Sequence, residues 1–373
     1  MRARDFLTEA DDSNYSLENA RISHPEDMVI SMGSTGAKLA IKSIQQMASH
    51  PETISIKPDG KPAIVWGQDE KGFGMADKHM FAKGIIPRSP QELADIYAQR
   101  KGGGREELTA MMTALWPQFQ ASLTGGFKGW LFGDLLYSQR PAVQGENFVF
   151  QPNTVVYTVP VTSDLGKRIG ASTSGIVAHS YFAAPGQPGK HINKIRGVNP
   201  SGPLLVIDDQ FSVPPKVKIP PDLKSLETFI TSNGAAIDKL LDKSALSAAK
   251  ISSFPQIFQK YVNAKVKARD FSNFGADFIE WMAGAKVSAS MQQNIAAHLK
   301  ANAGGYKVLC QAFIGIMRVK DHIVKLLDSH PAPLQGSIQG ELGQEGYLVH
   351  TGTGPVKAVD RQKFSAANFL HDS

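Results

Sequence analysis

The feature that most constrains the fold of this chain is a change in residue pattern near residue 220. Up to that point, short segments typical of β-strands alternate with turns. From about residue 221 to 330, β-branched runs are few and several amphipathic helical stretches follow one another. The linker HPAPLQGSIQGELGQ then returns the chain to strand-like segments. The pattern therefore predicts an α+β body that is interrupted by a helical insertion.

This pattern also sets the predicted domain boundaries. The predicted segments are residues 1–220 as the first part of the body, 221–330 as an α-helical insertion domain, and 331–373 as C-terminal strands that complete the body. Within the body, residues 24–49 and 90–124 are predicted to be helical, and GSTG suits a helix start. Residues 53–66 are predicted to form a strand, a tight turn and a second strand.

Composition narrows the class of protein without naming it. The net charge is +6, from 40 basic and 34 acidic residues, which is compatible with a polyanionic partner such as nucleic acid. No apolar run of about 18 residues is present, so we expect no membrane span. The single cysteine, Cys310, has no internal disulfide partner and lies in an apolar stretch that favours a packing role. A reducing cytoplasm fits best.

Five short segments carry the candidate chemistry. SIKPDGKPAIVWG contains Lys57-Pro58-Asp59-Gly60, and LFGDLLYS is an apolar strand that carries Asp134. SGIVAHSYF contains His179, EGYLVH contains Glu345 and Gly346, and VKAVDR contains Lys357. In this order the segments resemble the motifs of the covalent nucleotidyltransferases, which comprise ATP-dependent DNA and RNA ligases and mRNA capping enzymes. The resemblance covers roughly residues 24–210 and 335–370, and uncharacterised ligase-like proteins of T4-like tailed phages are similar.

The resemblance implies a fold and a set of roles. The implied fold is a ligase-type adenylation domain of antiparallel sheets with flanking helices. The implied location is the cytoplasm, which is the cytoplasm of the host cell if the protein is phage-encoded. Lys57 would form a covalent lysyl-AMP, with Asp59 and Lys357 also catalytic. The implied ATP contacts are Ile56, Gly60, Asp134, His179, Glu345, Gly346 and Lys357. The implied ligands of Mg²⁺, or of Mn²⁺ in its place, are Asp134 and Glu345.

Elementary chemistry adds conditions to these roles. A lysine attacks a phosphorus atom only as the neutral amine, so we expect burial or nearby cations to lower the pKa of Lys57. Carboxylates suit Mg²⁺, a hard cation that prefers oxygen ligands. Gly60 is expected to allow close approach of the nucleotide, and Lys357 to offset charge that develops on the α-phosphate.

Departures from the family pattern favour an RNA-ligase type of enzyme. Pro62 stands where DNA ligases and capping enzymes usually have arginine, and Val359 replaces a second lysine unless Arg361 or Lys363 substitutes. The chain ends at Ser373, so no C-terminal OB domain is expected. The predicted partner is therefore nucleic acid, RNA rather than DNA, with no prediction of oligomeric state. Basic residues of the helical segment are predicted to hold it, namely Lys260, Lys265, Lys267 and Arg269.

Other interpretations stay open at this stage. The chain could use GTP, or it could be a non-catalytic nucleic-acid-binding or virion-associated module on the same fold. Each motif also has a purely structural interpretation. Lys57 could be a solvated lysine beside a β-hairpin turn, and Asp134 could pair with Lys128 or Arg140 at a strand end. Glu345 and Lys357 could lie on a surface hairpin.

Overall fold

The computed structural model describes residues 14–15, 23–99, 105–192, 195–208, 215–352 and 354–371. These residues form an α+β fold with largely antiparallel sheets, as the sequence predicts. The helices are α1 Pro25–Ser49, α2 Lys78–Ala82, α3 Pro90–Ala98, α4 Glu106–Ala121, α5 Asp164–Ala171, α6 Asp222–Leu240, α7 Lys243–Ala248, α8 Phe254–Ala268, α9 Phe278–Gly284, α10 Ala289–Ala301, α11 Ala303–Asp328 and α12 Ala366–His371. None of the helices described is long and apolar enough to cross a membrane.

The strands form three sheets in the described part of the chain. Their bounds are β1 Asn14–Tyr15, β2 Ile54–Lys57, β3 Ala63–Asp69, β4 Gly72–Asp77, β5 Gly129–Tyr137, β6 Ala142–Gln144, β7 Asn147–Phe150, β8 Val156–Pro160, β9 Ser174–Phe182, β10 Gly189–His191, β11 Leu204–Asp208, β12 Gln335–Ile338, β13 Glu341–Leu342, β14 Gly346–Thr351 and β15 Gly354–Ala358. A seven-stranded sheet has the order β1-β10-β9-β5-β3-β4, with β11 parallel to β9. A five-stranded sheet has the order β13-β12-β8-β7-β6, and a three-stranded sheet the order β15-β14-β2.

Both strands predicted within residues 53–66 exist, but the segment between them is not a tight turn that pairs one strand with the other. Strand β2 pairs with β14 in the three-stranded sheet, whereas β3 pairs with β4 and β5 in the seven-stranded sheet. Residues 58–62 therefore cross from one sheet to another. The crossing is held by backbone bonds, since Lys61 donates to the Leu135 carbonyl at 2.9 Å and Leu135 donates to the Pro62 carbonyl at 3.0 Å. The structural interpretation of Asp59-Gly60 as a hairpin turn therefore fails.

The helical segment shares its hydrophobic core with other parts of the fold. One buried cluster joins helices α6 to α11 with α1 and with apolar residues of β2, β14 and β15. Ile54 and Ile56 of β2 lie in this core, fully or almost fully buried. The helices from residue 222 to 328 thus pack directly against the sheet that carries Lys57. The domain bounds drawn from the sequence stay a prediction.

Helix α1 contains the predicted helix start inside it. Gly33 has a φ of +62°, a conformation that favours glycine, and the helix is kinked there. Directly after the kink, the Ser34 backbone N–H donates to Asp238 Oδ1 at 2.7 Å and the Ser34 hydroxyl to Asp238 Oδ2 at 2.6 Å. An acid of α6 thus caps the second half of α1, a role that sequence reasoning gave to local residues.

Five charged side chains meet inside the molecule, and we call them the buried charge cluster. They are Glu26, Asp27, Lys320, Asp321 and Arg361. Lys320 Nζ lies 2.8 Å from Glu26 Oε1 and 3.0 Å from Asp321 Oδ1, while Arg361 Nη1 lies 2.7 Å from Asp27 Oδ1. Both Lys320 and Glu26 have no exposed surface. The cluster ties α1 and α11 to the chain directly after β15, next to the candidate site.

The buried charge cluster predicts a pH-dependent stability. Burial first, and then Asp360 and Glu26, raise the pKa of Asp321 from 3.8 to about 7, although Lys320 opposes this. The native state thus binds a proton that the unfolded chain has released, so the free energy of unfolding should fall as pH rises through this window. Urea unfolding of the wild type should show this fall in the free energy of unfolding between pH 5 and 8. In Asp321→Asn the fall should be smaller by about 2 kcal/mol. The control Glu280→Gln changes an exposed residue and should show the same fall as the wild type. If the free energy of unfolding fell equally with pH in Asp321→Asn and in the wild type, Asp321 would not be the group that binds the proton.

Candidate functional site

Two lysines share one carboxylate on the three-stranded sheet. Lys57 Nζ lies 2.5 Å from Glu345 Oε2, and Lys357 Nζ lies 3.3 Å from Glu345 Oε1. The side chain of Glu345 is 6% exposed, whereas those of Lys57 and Lys357 are 24% and 25% exposed. The side chains of the two lysines are therefore partly exposed, whereas the carboxylate that they share is buried. Three residues predicted from separate motifs thus form one group.

Strand register explains why these residues meet. Lys57, at the end of β2, is opposite Gly346, and Lys357 of β15 is opposite Leu348. Gly346 and Leu348 are two residues apart on β14, so both lysines lie on the same face of the sheet. Glu345 directly precedes β14 and reaches both. The predicted hairpin of β14 and β15 is correct, but its lysine and glutamate are largely buried and do not form a surface pair.

The neighbours give the two lysines opposite electrostatic surroundings. Burial would lower the pKa of Lys57, but Glu345 and then Asp134 raise it above its usual value. Burial lowers the pKa of Lys357; Glu345 opposes this, and the positive charges of Lys57 and Arg361 add to it. The expectation of a lowered pKa at Lys57 is therefore wrong for the free protein, because the nearby carboxylates outweigh the effect of burial.

Asp134 and His179 lie on the seven-stranded sheet beside Lys57. His179 is the extra residue of a β-bulge, since Phe132 pairs with Ser180 while the next residue of β5 pairs with Ala178. The bulge directs His179 Nε2 to within 3.6 Å of Asp134 Oδ2, and Phe132 packs edge-on against the His179 ring. Burial would raise the pKa of Asp134, but His179 and then Lys57 lower it. Asp134 therefore contacts His179, and not Lys128 or Arg140, which are its partners in the purely structural interpretation.

Asp59 is an anchor for the segment that carries Lys57. Its carboxylate accepts hydrogen bonds from Asn153 Nδ2 at 2.9 Å and from the backbone N–H groups of Thr154 at 2.6 Å and Val155 at 3.0 Å. The Asp59 backbone N–H donates to the Tyr157 hydroxyl at 2.5 Å. This buried side chain joins the crossing segment to the five-stranded sheet, so the structure gives Asp59 a positioning role, and its catalytic role stays a prediction. No sequence motif marks Asn153 or Tyr157.

Replacing Asp59 with alanine is expected to destabilise the protein. The change leaves two buried backbone N–H groups without acceptors, which should cost about 2–4 kcal/mol of unfolding free energy. Urea unfolding with a matched exposed control, Asp164→Ala, measures this effect, because the Asp164 side chain is fully exposed. An Asp59→Ala protein as stable as the Asp164→Ala protein would contradict the anchoring role.

The glycines and Ile56 have structural roles that differ from the predicted contacts with ATP. A Cβ at Gly60 would lie 2.8 Å from Asp134 Cβ and 2.8 Å from the Leu135 carbonyl oxygen, so the chain itself requires the glycine. A Cβ at Gly346 would lie 2.4 Å from the Ala358 carbonyl oxygen. The side chain of Ile56 points into the helical core and is 2% exposed. Close packing accounts for these three residues in the structure, and their predicted contacts with ATP stay predictions.

A second group of polar residues, to which the sequence analysis assigns no role, lies on the same sheet face as Lys57. Ser55 Oγ is 3.2 Å from His350 Nε2, and the rings of His350 and His191 are 4.5 Å apart. His191 belongs to the seven-stranded sheet, so this contact joins the two sheets beside the lysines. The candidate site is therefore a group of polar side chains where two sheets meet, with Lys57 on one sheet and Asp134 on the other, and we call this place the cleft.

The two predicted Mg²⁺ ligands, Asp134 and Glu345, already have partners within the protein. Both oxygens of Glu345 contact lysine amines, and Asp134 contacts His179. Within the described ranges no group of three or more histidine, cysteine, aspartate or glutamate side chains is placed to hold a metal ion. Mg²⁺ commonly takes only one or two protein carboxylates and keeps several waters, so the assignment of Asp134 and Glu345 as its ligands stays a prediction.

Three of the four residues predicted to hold nucleic acid are exposed. Lys260 and Lys267 lie seven residues apart on one face of α8, and Arg269 follows the end of that helix. Lys265 is different, because it forms an ion pair with Asp277 and its side chain is 11% exposed. The group of basic residues predicted to hold nucleic acid is therefore reduced to three, because Asp277 already compensates the charge of Lys265.

The comparisons with known proteins add a family but no activity. A family of unknown function, DUF6267, matches residues 19–372. No curated protein and no solved structure matches the chain. The chemistry of the cleft must therefore be argued from its own residues.

Proposed function

Because the chain belongs to DUF6267, a family of unknown function, we propose its function from the cleft: covalent nucleotidyl transfer by Lys57. The substrate is ATP, and the product of the first step is a lysyl-AMP. In the narrower form of the proposal, AMP passes to a 5′-phosphate end of a polynucleotide, and a 3′-hydroxyl then seals the strand. RNA is the proposed acceptor, in line with the RNA-ligase type of motif pattern.

The first step is a substitution at phosphorus. The neutral Nζ of Lys57 attacks the α-phosphorus, a P–N bond forms, and the bond to the β-phosphate oxygen breaks with release of pyrophosphate. The nitrogen loses its protons to bases of the cleft. Lys357, on the same sheet face, is placed to compensate charge on the α-phosphate oxygens.

One observation supports this proposal above the others: motif residues far apart in sequence converge in one cleft. Lys57, Glu345 and Lys357 share one contact network, and Asp134 and His179 face it from the second sheet. A solvated lysine beside a turn would need none of these partners. Perturbed pKa values of several groups in one cleft are also typical of functional sites.

A second observation favours a non-catalytic alternative. The raised pKa of Lys57 holds its amine in the charged form, which is suited to binding a phosphate but not to attacking one. A module that binds nucleotides or nucleic acid through the paired lysines, without covalent transfer, is therefore the second candidate function.

The experiment that separates the two is covalent labelling. Purified protein is incubated with Mg²⁺ and ATP or GTP labelled at the α-phosphate, then denatured and resolved on a gel. The expected result is label from ATP that survives denaturation and that peptide mapping places on Lys57. Label from GTP but not from ATP would show that GTP is the substrate, and the proposed covalent chemistry would stay the same. The opposite result is a protein that carries no AMP at the start, binds the nucleotide reversibly and takes up no label. That result would establish the binding module and overturn the proposed activity.

A further inference from the structure

The cleft contains a feature that the resemblance does not explain, which is the sharing of one buried carboxylate by two amines. Glu345 by itself would compensate only one of two charged lysines, and the other acids that act on the pair, Asp134 and Asp59, act on Lys57. The side chain of Lys357 is only 25% exposed, so an ammonium there that Glu345 does not fully compensate is unfavourable. One amine of the pair should therefore lose its proton more easily than the other.

The surrounding charges decide which amine this is. On the side of Lys57 stand two acids, Asp134 and Asp59. On the side of Lys357 stands Arg361 of the buried charge cluster, only four residues along the chain. His24, whose pKa is held well below its usual value by burial and then by Arg361 and Lys357, adds no negative charge there. Anions therefore favour the charged form of Lys57, and cations favour the neutral form of Lys357.

We propose that Lys357 accepts the proton that Lys57 must lose before it attacks, and that Glu345 carries this proton between the two amines. The proposal rests on the proposed function and names the base for its first step. Glu345 Oε2 takes a proton from the Lys57 ammonium, and Glu345 Oε1 gives one to the Lys357 amine. The Lys57 amine is then neutral, Lys357 is an ammonium, and Glu345 is again a carboxylate, so charge and protons balance.

The same geometry serves the substitution that follows. As the P–N bond forms, the Lys57 nitrogen loses a second proton to the Glu345 oxygen that it already contacts, and pyrophosphate leaves with the electron pair of the broken P–O bond. Lys357 has become positively charged at the moment when negative charge develops on the α-phosphate. The resting arrangement, with its raised pKa at Lys57, is then the reactant state of the proton exchange and is compatible with catalysis.

The test compares two substitutions of Lys357. Arginine keeps the positive charge but does not act as a base near neutral pH, whereas methionine removes both properties. At pH 7.5, Lys357→Arg should form label about 10²–10⁴-fold more slowly than the wild type, and the difference should shrink as pH rises towards 10. Melting curves verify that each variant is folded. Labelling by Lys357→Arg at the wild-type rate across this pH range would overturn the relay and leave only a charge-compensating role.

A second measurement does not require activity. In free protein with ¹⁵N-labelled lysine, the two Nζ signals are assigned with Lys57→Arg and Lys357→Arg and followed by NMR from pH 6 to 11. The titrations are coupled, so the order of proton loss is the quantity compared. We expect Lys357 to lose its proton first, and the reverse order would overturn the relay. Absence of label from wild-type protein would instead overturn the proposed function, so the two failures are distinguishable.

Discussion

Lys57→Ala is expected to leave no nucleotide covalently bound to the protein after incubation with ATP and denaturation. The P–N bond of the proposed intermediate needs the Lys57 amine, and the neighbouring amine of Lys357 serves as its base. The substitution should not unfold the chain, since Lys57 lies at the end of β2 with a side chain that is 24% exposed. Label retained at the wild-type level would show that another group is the nucleophile.

The matched control for this experiment is Lys71→Ala. Lys71 is an exposed lysine on the turn between β3 and β4, and it belongs to none of the contacts of the cleft. It should label as the wild type does, which excludes a general effect of removing a lysine. Glu345→Gln is expected to label slowly, because a carboxamide keeps the shape of the side chain but does not exchange protons as a carboxylate does.

Lys320→Met is expected to be the most destabilising of the substitutions considered, with a loss of about 3–5 kcal/mol of unfolding free energy. Lys320 Nζ contacts Glu26 and Asp321, and neither Lys320 nor Glu26 has exposed surface. Removing the cation leaves a buried carboxylate without its closest partner. Since a protein of this kind is stable by about 5–15 kcal/mol, the effect is a large fraction of the total. Urea unfolding measures it directly.

The control for this prediction lies five residues along the same helix. Lys325 has a side chain that is 70% exposed and an acidic partner at 3.9 Å, Asp360. Lys325→Met should cost less than about 1 kcal/mol, because exposed ion pairs contribute little. The double variant Glu26→Leu with Lys320→Met should recover part of the loss. A cost for Lys320→Met no larger than that of Lys325→Met would show that the buried charge cluster does not depend on this cation.

The residues of the cleft could be found from the sequence because each belongs to a short motif. Short motifs in the sequence single out five residues that the structure brings together, namely Lys57, Asp134, His179, Glu345 and Lys357. Their states of charge could not be found in the same way. A pKa depends on burial and on charges that arrive from distant parts of the chain, as Arg361 does at Lys357.

Residues outside the motifs were missed for a similar reason. Asn153 and Tyr157 hold Asp59 from about a hundred positions away, and no periodicity or motif marks them. The motif assigns Asp59 to catalysis, which stays a prediction, and only the structure shows that its hydrogen bonds anchor the segment. The pairing of Ser34 with Asp238 likewise lies beyond any local signal, because a capping residue that comes from another helix leaves no pattern next to the helix that it caps.

The sequence by itself determined the α+β class, the long helical segment, the strands at 54–57 and 63–69, and the hairpin of β14 and β15, because hydrophobic periodicity and short-range pairing are local properties. Only the tertiary structure decided that β2 and β3 join different sheets, that the helical segment shares its core with α1 and β2, and that two lysines share Glu345. Those outcomes depend on which distant surfaces bury one another, since strand partners and buried charges are chosen by the packing of the whole chain.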